Sequence, residues 1–104
     1  MSELRDPALV ALLAEARTQF ATTLPAKIAD LRALLDREAW DELRRAAHKL
    51  RGSTGTYGFM ELSTATGDVE DALLEAGGSP GPEVKERVER RVHEATLEAE
   101  RIVE

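Results

Sequence analysis

A chain of 104 residues can form one domain around a modest core and is too short for two, so residues 1–104 are read as a single helical domain. Aromatic residues make up 4% of the chain, charged residues 33%, and the net charge is −6, an acidic balance that excludes bulk nucleic-acid binding. The lack of cysteine excludes a disulfide framework and thiolate chemistry.

The start, Met1 to Asp6, lacks the basic-then-apolar order of a secretory signal. The longest apolar run, Ala8 to Ala14, falls far short of the roughly 20 residues that span a bilayer. A cytoplasmic protein with no membrane insertion is expected, and Met1 together with a full set of helices favours a free-standing one. Asp6-Pro7 reads as an N-cap followed by proline at the first helical position. Leu9, Leu12, Leu13, Ala16 and Phe20 then form a helical stripe, and Leu24, Ile28, Leu31 and Leu35 continue it. Pro25 lies between the two runs and either kinks one long helix or starts a new one.

Asp36-Arg37-Glu38 is a polar turn before the next helix, which begins near Trp40. Leu43, Ala46, Ala47, Leu50 and Thr54 form its buried stripe, and His48 projects about 140° away from the centre of that stripe. Asp41, Arg44, Arg45, Arg51, Gly52 and Gly55 fall within about 60° of His48 on the same projection. A glycine inside a helix costs about 1 kcal/mol relative to alanine. Beside an exposed imidazole the gain is access, because a partner or a phosphoryl group can approach the backbone. Gly52 and Gly55 are also what a fraying helix end would carry.

Gly58 is expected to open the third helix, with Phe59, Leu62, Thr66, Val69 and Leu73 on its buried face. Gly77 to Pro82 cannot be helical and forms a loop inside the domain. The last helix, Glu83 to about Val103, turns Val84, Val88, Val92, Ala95, Ala99 and Ile102 toward the core and a Glu/Arg-rich face toward solvent. The fold class is therefore all-α: an antiparallel four-helix bundle with an additional N-terminal helix or a kinked first helix.

The segment AHKLRGSTGTYGF resembles the signature of the histidine-containing phosphotransfer (HPt) family, A-H-x-L-K-G-[small]-x-x-x-x-G. His48, Leu50, Gly52, Ser53 and Gly58 match it in identity and spacing, and Arg51 stands where the family usually has lysine. The likeness extends from about Phe20 through Leu74 in the order and length of the helices. It implies a four-helix bundle whose exposed histidine, here His48, carries phosphate between receiver domains of response regulators, with a hybrid sensor histidine kinase upstream. It also implies that the receiver brings both the phosphoaspartate and the magnesium ion, so that this chain needs no cofactor of its own.

A neutral imidazole, with an ordinary pKa near 6.5, is nucleophilic at neutral pH and can attack an acyl phosphate in line. The chain has no P-loop and no convincing carboxylate cluster for magnesium, so no autonomous kinase activity is expected. Arg51 and Lys49 are the candidates for steadying the phosphate; Arg51 lies nearer the face of His48, and its fork suits phosphate oxygens. Arg44, Arg45, Lys49 and Arg51 form a basic patch that would suit a receiver's acidic pocket, although taken alone they read as solvated helix residues.

In the related phosphotransfer domain of chemotaxis kinases, a glutamate at the position of Glu70 hydrogen-bonds the imidazole and sets its tautomer. Glu70 has that role by resemblance, or is a surface acid. His93 lies among Arg90, Arg91 and Glu94 with no comparable motif and reads as solvated. Three functions follow: a phosphorelay carrier, a phosphotransfer domain fed by a chemotaxis-type kinase, or a helical adaptor whose histidine is incidental.

Overall fold

A computed structural model describes residues 6–103; Met1 to Arg5, most of the start read above for a signal, and Glu104 lie outside the described residues. Four helices follow in chain order: α1 (Pro7–Asp36), α2 (Trp40–Thr56), α3 (Met60–Ala76) and α4 (Pro82–Val103). Each packs on the next, and α1 closes the ring against α4. The connections, residues 37–39, 57–59 and 77–81, are short enough that packed neighbours must reverse direction. No strand occurs among the described residues.

The spacing of apolar residues dictates what faces inward. Leu24, Ile28 and Leu31 of α1, Leu43 of α2, Leu62 and Val69 of α3, and Val88 and Val92 of α4 are shut away from solvent in one cluster. The helix start at Asp6-Pro7 is as the sequence dictates: the Asp6 carboxylate accepts from the Ala8 amide at 2.9 Å.

α1 runs unbroken through Pro25 as one helix of 30 residues, and no separate N-terminal helix precedes it among the described residues. A proline inside a helix removes a hydrogen bond and costs about 3 kcal/mol. Leu24 and Ile28 bracket it and are fully buried, and each such burial contributes roughly 1.5–3 kcal/mol, enough to offset the break.

Three other expectations need correcting. Leu12 and Leu13 belong to the inward stripe by spacing, yet they are 63% and 55% exposed. α1 is simply longer than α2 and α3, which have 17 residues each, and its first turns find no helix to pack against. Gly58 does not open α3. It sits in the turn before it with φ +83°, a left-handed conformation that glycine takes without strain. Pro82 belongs to α4 as its first residue, where the missing amide hydrogen is not needed.

Two contacts fix how α3 lies, and so where its side chains point. The α2–α3 turn is held on α1: Phe20 stacks on Tyr57 with ring centroids 4.5 Å apart, and Arg17 donates to the Tyr57 carbonyl at 2.9 Å while lying over the Phe59 ring. On the other side, Asp68 of α3 accepts from Arg87 Nε at 3.1 Å and Arg91 Nε at 2.9 Å, with a further bond from Arg87 Nη2.

Those arginines, the Arg87 hydrogen bond foremost, pull the Asp68 carboxyl from 3.8 down to about 2. A carboxyl depressed in the folded state stabilises the fold above its unfolded pKa, and that contribution disappears as pH falls from about 4 through about 2. With some screening by solvent it amounts to about 1–2 kcal/mol. Urea titrations at pH 6 and pH 2.5 are expected to show the wild type ahead of Asp68→Asn by that amount at pH 6, with the gap mostly closed at pH 2.5. Equal stability at pH 6 would mean that the two arginines do no more for α3 than solvent does.

Candidate functional site

His48 stands on the outer face of α2 because Leu43, Ala47, Leu50 and Thr54, at helical intervals around it, take the inner face. Its side chain is 70% exposed. The ring is nonetheless held: Nδ1 lies 2.7 Å from Oε2 of Glu70, one helix over on α3. Glu70 itself is 8% exposed, which is unusual for a glutamate, and its second oxygen accepts from Arg51 Nη1 at 3.3 Å. A carboxylate paired with arginine only accepts, so the shared proton belongs to His48 Nδ1. Nε2, on the other side of the ring from that contact, then carries the lone pair.

Arg51 does not reach toward the imidazole. Its guanidinium lies back on α3, bonded to Glu70 and, at 3.3 Å, to Asp71 Oδ1. The Glu70 hydrogen bond, then the Asp71 charge, raise its pKa above the ordinary arginine value. Lys49 lies to one side, where it lines a groove of about 560 Å³ between α1 and α2 with Lys27, Asp30, Ala46, Leu50 and Ser53. Arg44 and Arg45 both lean back one turn onto Asp41, at 2.9 and 2.6 Å, and the Arg44 hydrogen bond is the larger cause that lowers the Asp41 pKa. The basic patch thus carries its own acid.

The two glycines of α2 part company. A Cβ at Gly52 would meet no atom of a neighbouring element within 4 Å, so the surface beside His48 is open there. Gly55 does not end the helix, which continues to Thr56. A Cβ on it would lie 3.2 Å from Ser63 Oγ, so its smallness lets α3 come close. Ser63 uses that proximity to donate to the Arg51 carbonyl at 3.0 Å. The sequence reading placed Gly55 with the partner-facing residues; in the structure it serves the α2–α3 contact.

Sequence reasoning missed Asp71 and Gly67. Asp71 shares Arg51 with Glu70, and Gly67, one turn before Glu70, lies directly beneath the Arg51 side chain. A glycine in mid-helix was the visible signal for Gly67. His93 lies elsewhere, on α4, beside a groove formed with Pro25, Ile28, Ala29 and Arg32 of α1. No group of three or more His, Cys, Asp or Glu among the described residues is placed to hold a metal ion.

No curated protein and no solved structure gives a significant match to this chain. One protein family does: its pattern, described as Hpt domain, matches residues 15–101, from the third turn of α1 almost to the end of α4. That span includes His48, Arg51, Gly52, Gly67 and Glu70, and the chain belongs to the Hpt domain family, whose members are histidine phosphotransfer modules of two-component phosphorelays.

Proposed function

We propose that this chain is a phosphocarrier that accepts a phosphoryl group on His48 from the phosphoaspartate of one receiver domain and hands it to another. The observation that carries this reading is the exposed imidazole whose Nδ1 is held by Glu70. The Nε2 lone pair attacks phosphorus in line, the bond from phosphorus to the aspartyl oxygen breaks, and the donor leaves as a free carboxylate. Nδ1 keeps its proton, and the imidazolium so formed lies against the Glu70 carboxylate, which stabilises it as charge develops. The return step is the same displacement, with the second receiver's aspartate as nucleophile.

The magnesium ion that neutralises the phosphoryl oxygens is supplied by the receiver in this reading. Gly52 leaves room for the receiver's acidic pocket, and Lys49, Arg44 and Arg45 add positive charge around it. Arg51 has two roles open to it: holding Glu70 before transfer, and turning to the phosphoryl oxygens after it. The setting is the cytoplasm, where receivers and the hybrid sensor kinase domains that load them work. Among the described residues no helix is long and apolar enough to cross a membrane.

The same Glu70 contact also supports a second reading, phosphorylation by the ATP-binding domain of a chemotaxis-type kinase. A carboxylate on Nδ1 makes Nε2 a stronger nucleophile, which matters more toward ATP than toward an already reactive acyl phosphate. Incubation with a phosphorylated receiver, and separately with a kinase domain and ATP, decides between them. The expected product is an acid-labile, alkali-stable label that maps to the peptide holding His48. The receiver as donor supports the first reading and the kinase domain supports the second. Label on another residue, or none from either donor, sinks both and leaves a helical adaptor.

A further inference from the structure

We propose that Gly67 is a positioning residue for His48: its bare Cα is the seat on which Arg51 rests, and Arg51 in turn fixes Glu70. The inference builds on the reading above, in which Nε2 is the attacking atom. Gly67 is buried in the middle of α3, where glycine costs about 1 kcal/mol relative to alanine and no turn requires it. A Cβ built on it would lie 2.9 Å from Arg51 Nε, 3.1 Å from Cδ and 3.2 Å from Cζ. All three nearest atoms belong to that one side chain, so Arg51 occupies the space that a Cβ at position 67 would take.

From this seat Arg51 reaches forward along α3 to Glu70 and Asp71, both at 3.3 Å. Those are long hydrogen bonds, near the limit of the interaction. A methyl group at position 67 lifts the guanidinium and breaks them. The two oxygens of a carboxylate turn together about one soft torsion, so releasing Oε1 of Glu70 also releases Oε2 from its aim at His48 Nδ1. The line of effect therefore runs Gly67, Arg51, Glu70, His48, and its output is which ring nitrogen keeps the proton.

Arg51 is a flexible side chain and can move aside, and alanine is the better helix former, so the Gly67→Ala variant is expected to fold at least as stably as wild type. The test is ¹⁵N NMR of the imidazole nitrogens in unphosphorylated wild type, Gly67→Ala, Arg51→Ala and the double variant, with labelling rates measured alongside. Wild type is expected to show His48 protonated at Nδ1. Gly67→Ala is expected to mix the two tautomers and slow labelling about three- to tenfold. Arg51→Ala should mix them in the same way, and adding Gly67→Ala to it should change the spectrum no further. A wild-type tautomer ratio in Gly67→Ala, or two effects that add in full, overturns the proposal. The tautomer result needs no phosphate donor: spectra as expected with no label from any donor would uphold the seat and reject phosphotransfer.

Discussion

A Glu70→Ala variant is expected to acquire label on His48 on the order of 10- to 100-fold more slowly than wild type, with little change in melting temperature. Glu70 Oε2 is the only partner found for the imidazole among the described residues, and it acts twice. Before attack it holds the proton on Nδ1 and so frees Nε2. During attack it faces the positive charge that grows on the ring. Without it both nitrogens trade the proton with water, and the ring turns freely on a face that is 70% open.

The stability side of that prediction follows from what is left behind. Arg51 retains Asp71 and is half exposed, so no buried charge is orphaned by the truncation. Glu70→Gln should fall between wild type and Glu70→Ala. Its amide oxygen can still accept from Nδ1, but its NH₂ then meets the Arg51 guanidinium, donor against donor, and the negative charge is lost. Initial rates of labelling at fixed donor concentration measure the series. Wild-type rates in Glu70→Ala would show that α3 has no say in the chemistry of the ring.

How much of this was legible in the sequence depends on the range of the interaction. Helical spacing identified Leu43, Leu50, Leu62, Val69 and Val92 as core, because burial on one face of a helix is a local pattern. The same pattern misplaced Leu12 and Leu13, since periodicity shows which way a residue faces and not whether another helix is there. Pro25 could not be decided locally because packing at Leu24 and Ile28 outweighs the proline.

At the site, spacing alone put His48 on the open face of α2. The pairing with Glu70, 22 residues on, came from family likeness, and no periodic pattern in either helix contains it. The packing roles of Gly55 and Gly67 escaped sequence reading for one shared reason. Each is small because a side chain from the neighbouring helix lies over it, Ser63 on the first and Arg51 on the second, and only the folded chain brings those pairs together.

Gly52 carries the clearest conflict between fold and function, and its variants should move the two in opposite directions. Gly52→Ala is expected to stabilise the bundle by about 0.5–1 kcal/mol, because it replaces the poorest ordinary helix former on an exposed turn of α2 and its methyl group meets nothing within 4 Å. Gly52→Leu should keep most of that gain, which urea denaturation would register. Transfer from a protein donor should nevertheless fall modestly in Gly52→Ala and on the order of 100-fold in Gly52→Leu. The donor's phosphorylated aspartate has to come in line with Nε2, and a displacement of about 1 Å is enough for a loss of that size. Phosphoramidate, a donor with no protein surface, should label His48 in all three proteins at similar rates. That combination separates obstruction of docking from damage to the imidazole: a bulky residue at position 52 leaves the Glu70 contact untouched and blocks only what must come alongside it. Should the protein donor work equally well on Gly52→Leu, the approach to His48 runs over another part of α2, and the glycine's cost to helix stability would lack the functional reason given for it here.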